Sequence, residues 1–211
     1  DKDAIKQYKC SLDAWAQMCI QLAFYKMFGH PCATYEAAQT RKFKLGRTET
    51  IRSCSLESLA FCQAMQDTNA TDAERYEKFQ AAVTQHVKNA KEAAEGAGVD
   101  RHLFGLKRLI QQGEEPPALF RDPMNAQSGT WILSTSQISS EVFDAWGFGE
   151  VTPKGFGVAY AIKNNALTFT IMCLKKVHSA SRFTFFLNEA GIELRAMHDR
   201  LNQAKSTSPK L

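Results

Sequence analysis

Between Ser11 and Gly29 the chain carries Trp15, Met18, Cys19, Leu22, Phe24, Tyr25 and Met27, an apolar run that goes nearly all the way round a helix. A helix with so little polar face has to be enclosed, so the rest of the chain must wrap it. Ser11 is placed to cap it, Asp13 lies in the first turn where the helix dipole favours an acid, and Gly29 stops it. The 211 residues, 44% hydrophobic and 23% charged, suffice for one globular domain around such a core.

Further helices follow. Ser55 caps a short one to Asp67, and Thr71 with Glu74 makes a capping box for a long surface helix to about Glu95, ending at Gly96 or Gly98. On that helix His86 reads as an exposed histidine. Val99 to Gln112 forms another, broken by Gly113-Glu114-Glu115-Pro116-Pro117. The pattern then changes to strands at Trp131–Ser136, Phe143–Gly147, Gly155–Ile162 and Leu167–Leu174, with Asn164-Asn165 turning a hairpin between the last two. An amphipathic helix from about Ser181 to Gln203 closes the order, with Gly191 unexplained inside it. Helices, strands and a helix again predict an α+β domain, a mixed β-sheet flanked by helices in two layers, over 1–204, with 205–211 as a flexible tail.

Other totals exclude more than they assign. A net charge of +4 suits a small anionic ligand better than nucleic acid. Six scattered cysteines, without Cys-x-x-Cys pairs or paired histidines, predict reduced thiols and neither disulfides nor a metal site. The sequence has no run of about 18 apolar residues. One stretch stands apart: between Thr34 and Ser53 lie Tyr35, Glu36, Thr48 and Thr50 with Arg41, Lys42, Lys44, Arg47 and Arg52. Guanidinium forks and hydroxyls bind carboxylate or phosphate, whereas on composition alone a basic run is a solvated face.

Word for word, that stretch resembles the carnitine/choline acyltransferase family, with Tyr35-Glu36 followed by Gly46-Arg47-Thr48-Glu49-Thr50-Ile51-Arg52-Ser53. Further markers of the family come in order: Asp100-Arg101-His102-Leu103, Ser134-Thr135-Ser136-Gln137, Phe148-Gly149, and Pro153-Lys154-Gly155-Phe156-Gly157-Val158. The resemblance runs from Lys2 to about Leu201. It implies the coenzyme-A-dependent, chloramphenicol-acetyltransferase-like fold, and reversible acyl transfer between coenzyme A and carnitine without a permanently bound cofactor.

The same resemblance assigns residues. Tyr35, Thr48 and Arg101 would grip the carnitine carboxylate, and Phe148, with Ser134 and Val151, would face its trimethylammonium group. Ser136, in the triplet with Ser134 and Thr135, would stabilise the oxyanion. Lys2 and Lys6 would hold coenzyme A phosphates, Asp13 would lie on its adenine side, and Glu36 and Gln137 beside its pantetheine arm. A serine of the family is replaced by Ala37, which removes one hydroxyl from the carboxylate shell. Thr48 and Arg101 favour carnitine over choline. Trp146, two residues before Phe148, would fill the acyl tunnel and restrict the enzyme to acetyl or another short chain, provided Phe143–Gly147 has the expected strand register.

In the resembled family the catalytic histidine belongs to the N-terminal half of a much longer chain. His30, His86, His102, His178 and His198 read as helix-end, surface or linker residues. The expectation is therefore a C-terminal half that begins inside its own coenzyme site at a cleaved or engineered Asp1, partnered by an N-terminal half. Ser208-Pro209-Lys210-Leu211 keeps part of a peroxisomal signal, so a peroxisome or a mitochondrion is the expected compartment. The competing readings are a medium- or long-chain carnitine enzyme, a choline acetyltransferase, a non-catalytic ligand-binding module, and a basic scaffold for nucleic acid.

Overall fold

The computed structural model describes residues 2–207, with side chains through Ala204. The elements in order are α1 (Lys2–Gln7), α2 (Leu12–Phe28), β1 (Thr34–Gln39), β2 (Thr48–Arg52), α3 (Leu56–Gln66), α4 (Asp72–Ala94), α5 (Asp100–Arg108), α6 (Ala118–Arg121), α7 (Pro123–Ser128), β3 (Leu133–Gln137), β4 (Phe156–Ile162), β5 (Leu167–Met172) and α8 (Ala180–Thr207). The helix α8 continues through residues 205–207, which were expected as tail, and residues 208–211, with the Ser-Pro-Lys-Leu ending, lie outside the described residues.

The apolar helix is α2. The Ser11 hydroxyl accepts from the Ala14 N–H, and Gly29 takes φ 75° so that its N–H can reach the Tyr25 carbonyl. Around it pack α3, α4 and α8 with one face of a five-stranded sheet ordered β2-β1-β3-β4-β5. β1, β3 and β4 run parallel, and β2 and β5 pair antiparallel at the two edges. The core joins Trp15, Met18, Ile20 and Leu22 to Phe61, Phe79, Leu133, Phe156, Tyr160, Phe183, Leu194 and Met197. The mixed α+β architecture is as expected from the sequence.

Four local expectations are corrected. Thr34–Ser53 is not a basic surface run throughout but the hairpin β1–β2: Arg41, Lys42, Lys44 and Arg47 are exposed between the strands, while Arg52 lies in β2 and pairs with Asp100. Phe143–Gly147 forms no strand. The segment lies across the face of β4 and β5 instead of along an edge, with Gly147 against Thr170 and the Phe148 carbonyl against Gly157, and the Trp146 indole N–H donates to the Tyr160 carbonyl at 3.3 Å. The Val99–Gln112 helix ends at Arg108, and two short unforeseen helices, α6 and α7, follow before β3. Finally, His86 and His198 are buried, at 3% exposure each, rather than surface or helix-end residues. All six cysteines are free thiols, with Cys10, Cys19 and Cys62 in the core as expected. Among the described residues no helix is long and apolar enough to cross a membrane.

Candidate functional site

Strand alternation divides the sheet into two chemical surfaces. Thr34, Glu36, Leu133, Thr135, Phe156, Val158 and Tyr160 point to the helices, as their contacts with α2, α4 and the core show. Their neighbours therefore point the other way. The register sets Tyr35 opposite Arg52, Ala37 opposite Thr50 and Gln39 opposite Thr48. It also sets Tyr35 beside Ser134, Ser134 beside Gly157, and Ser136 beside Ala159. The far face is thus a patch of hydroxyls and very small residues. Gly157 is small for a reason: a Cβ there would collide with the Phe148 carbonyl oxygen and stand 2.6 Å from that of Gly149, which lie directly on the strand.

One end of this face is closed by α5. Arg52 binds Asp100 with both carboxylate oxygens, at 3.1 and 2.7 Å, while its guanidinium lies 4.8 Å from the Trp131 ring centroid. The Arg101 N–H donates to Glu49 at 3.3 Å. These contacts stand in for the N-terminal side-chain cap that α5 lacks. They bring the exposed Arg101 side chain over the hairpin, where Nη2 donates to the Tyr35 hydroxyl at 3.2 Å and to Thr48 Oγ1 at 3.1 Å, and Nε donates to the Thr48 carbonyl at 3.0 Å. Arg101 Nη1 makes no hydrogen bond among the described residues. Two open clefts, of about 630 and about 640 Å³, meet at Arg101. Three residues that lie 66 positions apart at most, and that the resemblance assigned to one carboxylate, therefore stand together.

At the other end, Trp146 and Phe148 pack ring to ring at 5.7 Å, and Val151 is exposed. The segment carrying Trp146 is irregular, so its place follows from the indole hydrogen bond and the Gly157 contact rather than from strand register. Between the two ends, the Ser134 and Ser136 hydroxyls have no hydrogen-bond partner among the described residues, while Thr135 points to the helices and Gln137 is exposed with its amide on Ser139. Lys2 bonds Asn164 at 3.1 Å and lies 3.6 Å from Glu141, whereas among the described residues the exposed Lys6 reaches only Asp3.

Asp13 and Glu36 lie elsewhere, beneath the sheet in a polar cluster in which Glu36 and His86 are buried and Asp13, 30% exposed at its side chain, forms the edge. The Tyr160 hydroxyl is 2.6 Å from Asp13 Oδ1 and 3.3 Å from Glu36 Oε1. Glu36 Oε2 accepts from Ser53 at 2.7 Å and is 2.8 Å from His86 Nε2. Gln17 donates to both Tyr160 and Thr135, and Thr135 donates to the Tyr35 carbonyl at 2.9 Å. Burial, and then the charge of Glu36, push Asp13 up to about 7. Burial works against ionisation of Glu36 and against protonation of His86, but their mutual hydrogen bond and charge override it. Glu36 is held below the usual carboxylate range and His86 above the usual imidazole value, so the pair is ionic.

Asp13, Glu36 and His86 also place three potential ligand atoms within 4.8 Å of one another, a spacing the sequence did not suggest. His86 is the residue that sequence reasoning misplaced. Its signal was available: Phe79, Ala82, Val83, His86 and Ala93 follow helical spacing along one apolar face of α4.

The comparisons with known proteins bear on this geometry directly. The family profile described as Choline/Carnitine o-acyltransferase matches residues 1–189. The mitochondrial carnitine O-acetyltransferase of Saccharomyces cerevisiae is 40% identical over 97% of this chain and 31% of its own length. The carnitine O-acetyltransferase of Homo sapiens is 38% identical over 97% of this chain and 33% of its own, and the peroxisomal carnitine O-octanoyltransferase of Mus musculus 37% identical over 82% and 28%. The chain thus spans about a third of the length of the relatives it matches. Motifs that meet on one sheet face, together with a match over most of its length, establish that this chain belongs to the choline/carnitine O-acyltransferase family.

Proposed function

We propose that this chain provides the carnitine-binding and oxyanion-stabilising part of a carnitine O-acetyltransferase, which moves a short acyl group reversibly between coenzyme A and carnitine. The observation that carries the reading is the convergence of Arg101, Tyr35 and Thr48 at 3.1–3.2 Å. A guanidinium with a free edge beside two hydroxyls fits a carboxylate, which carnitine has and choline lacks. Phe148 supplies an aromatic face for the quaternary ammonium, and the unpartnered Ser136 hydroxyl supplies an oxyanion donor with Ser134 and Thr135 beside it in the strand. The bulk of Trp146, held by its indole hydrogen bond, supports acetyl over longer chains.

In the same reading Lys2 and Lys6 face the phosphates of coenzyme A and Gln137 its pantetheine arm. Asp13, its side chain 30% exposed, lies on the adenine side of that coenzyme, while the buried Glu36 supports the site from below the sheet. The general base comes from an N-terminal half packed across this face. A mitochondrial or peroxisomal setting agrees with two of the relatives' names.

Calorimetric titration of this chain with carnitine, and with choline as control, tests the reading. Carnitine is expected to bind and choline not to, with Arg101→Asn weakening carnitine at least tenfold, the worth of a charge-assisted bidentate contact. Equal weak heats for both ligands would overturn it.

A further inference from the structure

The Tyr160 hydroxyl has one proton and two carboxylates to serve. It stands 2.6 Å from Asp13 Oδ1 and 3.3 Å from Glu36 Oε1, and it already accepts from Gln17 Nε2 at 3.1 Å. With both acids ionised it can donate to one of them only. With Asp13 protonated, the acid donates to the phenol oxygen and the phenol donates onward to Glu36, so both carboxyl groups are partnered through Tyr160. With Asp13 ionised, the hydroxyl turns to the nearer Asp13, and Glu36 Oε1 loses its donor beside a second negative charge.

We propose that Asp13 and Tyr160 form a proton-operated positioning pair for the ligand face, in which the carboxylate that Tyr160 serves sets how firmly Tyr35 is held. The inference rests on the reading of Tyr35 and Arg101 as carboxylate-binding groups. Two connections carry it. Glu36 and Tyr35 are consecutive in β1, one pointing into the cluster and the other into the ligand face. Gln17 links Tyr160 to Thr135, whose hydroxyl holds the Tyr35 carbonyl at 2.9 Å. The charged and titratable groups acting on Asp13 are Glu36 from β1, Tyr160 from β4 and His86 from α4. Burial and the neighbouring Glu36 bring Asp13 to about 7, where a small change in pH moves its proton. Tyr160, 1% exposed, is fixed in the core and does not compensate by swinging into solvent. The sign follows: protonated Asp13 completes the network, so carnitine binds more tightly below that value than above it.

Two measurements on this chain test the pair. The first follows the Tyr160 Cζ carbon, whose shift reads which way the phenol proton is given, by NMR from pH about 5.5 to about 8.5, bracketing the value of about 7 for Asp13. The second is the carnitine dissociation constant at both ends of that range. In the unsubstituted chain the constant is expected to rise about fivefold with pH, the worth of one buried hydrogen bond. The Tyr160 signal is expected to report a transition near neutrality.

Asp13→Asn, whose amide donates to Tyr160 at every pH, should abolish the rise and the transition, and Tyr160→Phe should abolish the rise by leaving no proton to redirect. A rise that persists in either variant, or none in the unsubstituted chain, overturns the proposal. If carnitine binds at no pH, the site reading has failed, and the NMR transition decides the proton pair alone: lost in Asp13→Asn it stands, retained it falls. A transition abolished by a chelator would assign the cluster to a metal ion and likewise overturn it.

Discussion

Thr50 Oγ1 is buried without a hydrogen-bond partner, and the residue directly across the β1–β2 hairpin from it is Ala37. Directly opposed residues in antiparallel strands share a face with their Cβ atoms about 5 Å apart, close enough for two hydroxyls to meet. The serine that the resembled family carries at Ala37 would therefore pair with Thr50 and add a hydroxyl beside Tyr35 and Thr48. Ala37→Ser is expected to strengthen carnitine binding about threefold to fivefold, the value of a hydrogen bond recovered from an orphaned group. It is also expected to raise the melting temperature slightly. Titration calorimetry and a thermal melt on the same pair of proteins check both, and a variant that binds carnitine less well would place Ala37 outside the carboxylate shell.

At the scale of an element, α5 decides whether the candidate site exists. None of its own residues is buried, and Phe104, Leu106 and the following Leu109 are exposed, so little apolar burial fixes it. Its position depends on Asp100 with Arg52 and on Glu49 with the Arg101 N–H. Gly98 belongs to the same joint, because a Cβ there would press within 2.5 Å of the Glu49 Cγ. Asp100→Ala is expected to release the first turn of α5 and carry Arg101 away from Tyr35 and Thr48. Hydrogen exchange should quicken in α5 while α2 and β4 keep their protection. Carnitine affinity should fall severalfold, although Asp100 touches no ligand. Unchanged exchange in α5 would mean that Glu49 alone anchors it.

For the whole molecule, the buried cluster makes stability a function of pH. Asp13, raised from 3.8 to about 7, binds more protons folded than unfolded across that interval, so its contribution falls as pH rises through it. His86, raised above 6.5, acts in the same direction: its stabilisation is complete below 6.5 and lost as pH climbs through its higher folded value. Glu36, lowered from 4.5, works oppositely and loses its contribution as pH drops below its ordinary range. The fold should therefore be most stable between about 4 and 5, where the Glu36 contribution is in place and little of the Asp13 contribution is yet lost, and melt several degrees lower at pH about 8.5. Thermal melts across that range check it, and Asp13→Asn should flatten the alkaline side.

What the sequence determined by itself was local or was carried by motif. The apolar spacing from Trp15 to Met27 defines α2, the Ser55 and Thr71 caps open α3 and α4, and the expected β4–β5 hairpin is present. These signals operate over a few residues, where propensity, capping and periodicity act. Tyr35, Thr48 and Arg101 were also legible as residues, because the resemblance names them without needing the fold. The tertiary structure decided the rest.

Phe143–Gly147 has the composition of a strand, but it packs across the sheet face, with Gly147 against Thr170 and the Trp146 indole on the Tyr160 carbonyl, instead of pairing along an edge. Thr34–Ser53 has the composition of a charged surface, but pairing with β3 drew its β1 half into the sheet. His86 and Glu36 are 50 residues apart, and a charge pair that close in space and that far in sequence leaves no periodic trace. Burial of polar groups, sheet registry and the meeting of distant ends are properties of the packed chain, since each depends on which surfaces the other elements leave available.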